Sequence, residues 1–139
     1  MASAALISRL KRLEAEYDKA EQRTQALIAN TYDLPTVDKW PEFARRTKIR
    51  TASPTRGAYI GPFDPFPYQI ELIDRINKNR NIQILKSRQT GISEVICNYI
   101  ACRMLTEPGF TAAVISKTER DSKKLAKRTK FMLDSIEGI

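Results

Sequence analysis

The segment Lys86-Ser87-Arg88-Gln89-Thr90-Gly91-Ile92-Ser93 gathers the residue types that hold phosphate. It follows a short apolar run, Ile82-Gln83-Ile84-Leu85, and precedes a longer one with helical spacing. A phosphate loop of the G-x-x-x-x-G-K-[ST] kind lies between a strand and a helix. Its backbone N–H groups face the ligand, and the helix N-terminus favours negative charge. Gly91 stands at the second glycine position and lets the backbone turn closely. Ser93 stands at the hydroxyl position, where it can meet Mg²⁺. The first glycine position holds Lys86, and the usual lysine position holds Ile92. Charge is therefore relocated: Lys86 has a long stem at the strand end, and Arg88 adds a permanent cation. The same eight residues also read as an ordinary strand-to-helix turn with solvent-facing Lys and Arg, and this segment alone does not choose.

A second feature favours phosphate. Pro67-Tyr68-Gln69 lies 17 residues ahead of Lys86, counted from Gln69. A glutamine amide donates and accepts together, which suits the N6 and N7 edge of adenine, and the Tyr68 ring can stack on the base. Alone, the tripeptide is equally a helix start with proline in its first turn.

The elements that must position these residues follow from hydrophobic spacing. Residues 68–77 read as a helix with Ile70, Ile73 and Ile76 inward, and 82–85 as a strand. Residues 92–105 read as a helix with Val95, Ile96, Tyr99, Ile100 and Met104 inward. Pro108-Gly109 is a turn, 110–115 a buried strand, and 119–136 a helix with Leu125, Thr129, Met132 and Ile136 inward. This alternation predicts an α/β fold, the start of a P-loop NTPase-type parallel sheet with flanking helices, over residues 61–139. Ahead of it, residues 1–30 predict an amphipathic helical arm. Leu6, Leu10, Leu13, Tyr17, Ala20, Thr24 and Leu27 make a heptad seam along it. Such a seam packs on this chain, on a copy or on a partner. Residues 31–60 read as an irregular basic connector. Six of the seven prolines fall between Pro35 and Pro67, and a short helical turn is expected after Trp40-Pro41.

Composition narrows the chemistry. The chain has 139 residues, two cysteines (Cys97 and Cys102) and no histidine. Zinc at normal ligand counts and Ser-His or Cys-His nucleophile pairs are excluded. The cysteines are too few for a disulfide framework, which fits a reducing compartment. No apolar stretch is long enough to span a membrane, and no secretory signal is visible. The net charge is +8, and two segments hold more than all of it: Lys39–Arg56 and Lys117–Lys130 each carry a net +5. In the second, Lys123, Lys127 and Lys130 share a helix face, with Lys117 and Lys124 close by. These five lysines are the expected contacts to DNA or to an acidic partner, through the backbone and without base stacking.

The strings Phe63–Ile73 and Lys86–Ser93, with Ala113–Thr118 and the basic helix that follows, resemble the ATPase domain of tailed-phage terminase large subunits. That family opens with an adenine-reading Gln motif and continues with a variant loop of the form Ser-Arg-Gln-x-Gly. Some members carry the lysine at the start of the loop. The resemblance covers about residues 60–136. It implies ATP and Mg²⁺ as cofactors. Tyr68, Gln69 and the whole segment Lys86, Ser87, Arg88, Gln89, Thr90, Gly91, Ile92 and Ser93 would bind nucleotide. Lys86 and Arg88 would be the catalytic cations, Arg88 stabilising transition-state charge in cis, and Ser93 would offer its hydroxyl to Mg²⁺. It also implies double-stranded DNA, a small terminase subunit and a portal protein as partners, a homo-oligomeric full-length motor, and the cytoplasm of an infected bacterial host. The family's acidic Mg²⁺ and catalytic strand and its nuclease domain have no counterpart after Ser93. The chain is thus expected to be the N-terminal part of a larger motor that does not hydrolyse ATP well alone. The alternative is a non-catalytic basic module that binds nucleic acid or a partner. A helicase-type ATPase is a weaker third reading, since helicases keep the Gly-Lys pair.

Overall fold

Aromatic and aliphatic residues ahead of the loop, Leu34, Trp40, Phe43, Ala44, Phe63 and Ile73, build much of the core. The computed structural model describes residues 3–53, 57–88 and 90–136, and the side chains of these outside 25–32 and 51–58. Helix α1 spans Ala4–Tyr32. A 3-10 turn over Val37–Lys39 leads into α2 (Trp40–Arg45), with Pro41 in its first turn. Strands β1 (Lys48–Ser53) and β2 (Gly57–Pro62) follow, then α3 (Pro67–Lys78), α4 (Ile92–Thr106) and α5 (Glu119–Asp134).

The chain between 31 and 60 is more regular than its prolines suggest. The short helix after Trp40 is present, and β1 and β2 form an antiparallel hairpin with Lys48 opposite Pro62 and Ser53 opposite Gly57. Pro62 is tolerated because it ends its strand. The hairpin is tied at its base: Phe63 N–H donates to the Thr47 carbonyl at 3.1 Å, and Lys48 N–H donates to Ser135 Oγ at 2.9 Å.

The core lies around α4. Trp40, Phe43 and Ala44 of α2 pack with Val95, Tyr99, Ala101 and Cys102 of α4, with Ile73 of α3 and with Phe63. Trp40 meets Phe63 edge-on, ring centroids 5.9 Å apart, a favoured aromatic geometry. A polar chain runs through this core. Trp40 Nε1–H donates to Asn98 Oδ1 (3.0 Å), Asn98 Nδ2 donates to Thr47 Oγ1 (2.7 Å), and Thr47 Oγ1 donates to the Ala44 carbonyl (2.7 Å). All three side chains are buried. In α3, Ile70 and Ile76 are half-buried around Ile73, as the spacing predicts, and on α5 Thr129 and Met132 are buried. Met104, expected inward, is exposed at the end of α4.

The predicted parallel sheet is not seen among the described residues. Among the described residues the sheet is the β1–β2 hairpin, so the fold is helical with a small two-stranded antiparallel sheet. Residues 82–85 and 110–115 belong to no strand, and Leu85 and Ile115 are 101% and 92% exposed. A strand needs a neighbour about 4.8 Å away to take its backbone groups, and no described segment pairs with either. Phe110 is nonetheless pinned: Arg103 lies 4.3 Å from its ring centroid while also paired with Glu107 at 2.6 Å.

Every side chain of α1 described, from Ala4 through Thr24, is exposed, including Leu6, Leu10, Leu13 and Tyr17 of the seam. Leu27 lies outside the described side chains. Replacing Leu10 and Leu13 together by serine should therefore leave the thermal midpoint of the dilute chain within about 5 °C, because exposed positions shift stability by no more than ~0.5 kcal/mol each. A drop of about 10 °C or more in calorimetry would mean that the seam is packed within the chain. No helix among the described residues is long and apolar enough to cross a membrane.

Both cysteines are buried in α4 as free thiols. Burial pushes the Cys97 thiol up and the Cys102 thiol from 9.0 to about 12. Folded Cys102 thus holds its proton more tightly than the unfolded chain does. That contribution to stability is complete below pH 9 and is lost as pH climbs toward 12. Urea midpoints should fall more steeply between pH 8 and 10.5 for the native chain than for Cys102→Ala; parallel falls would contradict this.

Candidate phosphate-binding loop

Gly91 caps the N-terminus of α4 with φ +73°, a left-handed conformation that costs an L-residue about 1 kcal/mol or more. Space is short there as well: a Cβ on Gly91 would lie 2.7 Å from Gln69 Nε2. The first intrahelical bond runs from Val95 N–H to the Gly91 carbonyl (3.1 Å). Helix geometry therefore leaves the N–H groups of Ile92, Ser93 and Glu94 without an intrahelical acceptor.

The Tyr-Gln pair is packed against this turn. Tyr68 Oη donates to the Thr90 carbonyl at 2.6 Å, and Gln69 Nε2 donates to the same oxygen at 3.3 Å. Gln69 is 2% exposed, and its Oε1 accepts from Phe66 N–H at 2.9 Å. This reach from the third helical residue to the cap residue is half of a capping box, since phenylalanine offers no side-chain acceptor. The Tyr68 ring stacks on Phe66 with centroids 5.8 Å apart and planes 9° apart. The two segments expected to work together are thus in contact, and the geometry assigns Tyr68 and Gln69 to holding Thr90 in place. Thr90 Oγ1 in turn reaches the Ser87 carbonyl at 3.4 Å.

Lys86, Thr90, Gly91, Ile92 and Ser93 line one hollow of about 200 Å³ beside the α4 N-terminus, joined by Glu94 and Arg128. Ser87 and Arg88 are exposed and outside that lining. Gln89 lies outside the described residues. Arg128, from the middle of α5, pairs with Glu94 (Nε to Oε1, 3.1 Å). Burial raises the Glu94 carboxyl above its ordinary range, and the Arg128 guanidinium works against that rise. Sequence reasoning placed neither Glu94 nor Arg128 at the loop. The signal available was faint: Glu94 adjoins Ser93, and Arg128 lies four residues after Lys124 on the strongly basic helix.

The five lysines proposed for DNA or partner contact are not equivalent. Lys123 is paired with Glu119 and Lys130 with Asp134, at 2.6 and 2.7 Å, both pairs well exposed. Such pairs are worth little and open readily to a competing anion. Lys124 is 3.9 Å from Asp121. Lys117 is exposed just ahead of α5. Among the described residues no group of three or more His, Cys, Asp or Glu is placed to hold a metal ion. Mg²⁺ keeps water and phosphate oxygens and takes few protein ligands, and the Ser93 side chain at the hollow fits that modest demand. Comparison with protein-family models, with curated proteins and with solved structures found no match.

Proposed function

We propose that this chain binds nucleoside triphosphate phosphates at the α4 N-terminus, as a variant phosphate-loop protein. The observation that carries the reading is the convergence of Lys86, Gly91 and Ser93 on one hollow at a helix N-terminus. The N–H groups of the first turn of α4 meet phosphate oxygens there, and the Lys86 ammonium neutralises charge from the end of the 82–85 segment. Bound Mg²⁺ would supply further charge neutralisation, with Ser93 offering its hydroxyl. Tyr68 and Gln69 hold the turn closed through Thr90, and the exposed part of the Tyr68 ring meets the adenine. Arg88 supports transition-state charge from solvent when a complete site is assembled.

More particularly, we propose the N-terminal part of the ATPase domain of a tailed-phage terminase large subunit, acting with ATP and Mg²⁺ on double-stranded DNA. The small terminase subunit, the portal protein and further copies of the chain are its partners in the bacterial host cytoplasm. In that assembly residues 82–85 and 110–115 become strands of a parallel sheet. Their exposed apolar side chains, Leu85 and Ile115, support this reading. The same exposure, with the +8 charge, supports a second reading: a basic module without catalysis that pairs with nucleic acid or a protein. Equilibrium dialysis against ATP with Mg²⁺ separates the two. Saturable binding below about 1 mM, some −4 kcal/mol, is expected. No binding at that concentration, with DNA binding retained, selects the second.

A further inference from the structure

A second hollow, about 310 Å³, lies between β1 and α5. Arg50 of β1 and Lys124, Lys127, Arg128 and Phe131 of α5 line it, and Glu94 closes the side it shares with the loop. Four cations thus face one carboxylate, and that carboxylate is already paired with Arg128 at 3.1 Å. Lys124 lies 3.9 Å from Asp121, a long contact. Among the described residues, neither Arg50 nor Lys127 has a carboxylate within 4.0 Å. The Arg50 guanidinium lies 4.3 Å from the Phe131 ring centroid, which orients it toward the hollow and covers that ring face.

We infer that this hollow seats a phosphodiester of a nucleic-acid backbone. The inference rests on the DNA partner of the proposed function and is independent of nucleotide binding at the loop. Its cations are side-chain charges from two elements, with no glycine turn and no free helix end among them. It therefore offers charge without the close backbone approach that a triphosphate needs. The ring that could have stacked a base is already covered by Arg50. Charge without a stacking face is the chemistry of backbone contact that does not read sequence. Of the lysines on α5, those facing this hollow, Lys124 and Lys127, carry the contact, and the exposed pairs of Lys123 and Lys130 stay peripheral.

The test is fluorescence anisotropy with a labelled duplex oligonucleotide over a series of salt concentrations. Arg50→Ala with Lys127→Ala should weaken binding roughly tenfold or more near 0.1 M salt. It should also make the slope of log K against log salt shallower by about 2, one per lost phosphate contact. The charge-keeping pair Arg50→Lys with Lys127→Arg should retain most of the slope, showing that the fold is intact. Arg9→Ala with Lys19→Ala removes the same charge from exposed α1 and should leave the slope within about 0.5 of native. Native-like binding by the first double variant, or an equal loss from the α1 control, overturns the seat and leaves the DNA reading standing. Absence of duplex binding by the native chain overturns both. Displacement of the duplex by polyglutamate at matched charge concentration overturns the seat in favour of an acidic protein surface.

Discussion

Asn98→Leu should lower stability by about 2–4 kcal/mol, a large share of the ~5–15 kcal/mol usual for a folded chain. Leucine is apolar and similar in size, so the effect arises from polar groups left behind. Trp40 Nε1–H loses its acceptor, Asn98 Oδ1 at 3.0 Å, and Thr47 Oγ1 loses the donor that reaches it at 2.7 Å. Trp40 and Thr47 are 0% and 1% exposed, so water cannot replace either partner. Trp40 Nε1–H, left unpaired, costs about 1–3 kcal/mol, while Thr47 Oγ1 keeps its bond to the Ala44 carbonyl at 2.7 Å and gives up one hydrogen bond worth about 1 kcal/mol. The thermal midpoint should fall by about 6 °C or more. Trp40→Phe removes the donor from the other end. Combining it with Asn98→Leu should cost less than the sum of the two single changes, because the second no longer strands the first partner. A midpoint within about 2 °C of native for Asn98→Leu would mean that the chain Trp40–Asn98–Thr47 is not closed in solution.

The second large effect is on nucleotide. Lys86→Ala should weaken ATP–Mg²⁺ binding by about ten- to a hundredfold, the loss of a charge-assisted contact worth roughly 1.5–3 kcal/mol. Stability should stay within about 0.5 kcal/mol, since Lys86 is exposed. Gly91→Val should act differently. A β-branched residue at φ +73° is strained, and its Cβ would meet Gln69 Nε2 at 2.7 Å. Gln69 must then let go of Thr90, and the turn opens. Binding and stability should fall together, the second by about 2 kcal/mol or more. A Lys86→Ala protein that binds ATP as the native chain does would remove Lys86 from the site. Should Gly91→Val keep native stability, the left-handed turn would not be a feature of the folded chain.

Helices α3, α4 and α5 were legible because each carries an apolar stripe at helical spacing that the core then uses, as with Ile73, Val95 with Tyr99, and Thr129 with Met132. The β1–β2 hairpin was hidden. Pro54 and Pro62 argue against strands, and Lys48-Ile49-Arg50 looks like a solvated basic run. Yet Ile49 is half-buried between two exposed cations, which is the alternation of a one-sided strand. For 82–85 and 110–115 the difficulty ran the other way. Apolar composition signals a wish for burial, but pairing depends on a neighbour that local pattern cannot name. At the site, the approach of Tyr68 and Gln69 to the loop was foreseen from their spacing, although the structure gives them the Thr90 carbonyl to hold. Glu94 and Arg128 meet only because α5 packs across α4, a tertiary contact over 34 residues with no local trace.

The most direct measurement is a titration of the ¹⁵N-labelled chain with ATP and Mg²⁺, followed residue by residue through its amide resonances. If the α4 N-terminus cradles phosphate, the N–H signals of Gly91, Ile92 and Ser93 move saturably with one dissociation constant, and the movement is lost in Lys86→Ala. Shifts confined to α5, or no movement at the α4 N-terminus with ligand in excess, would contradict a phosphate site there.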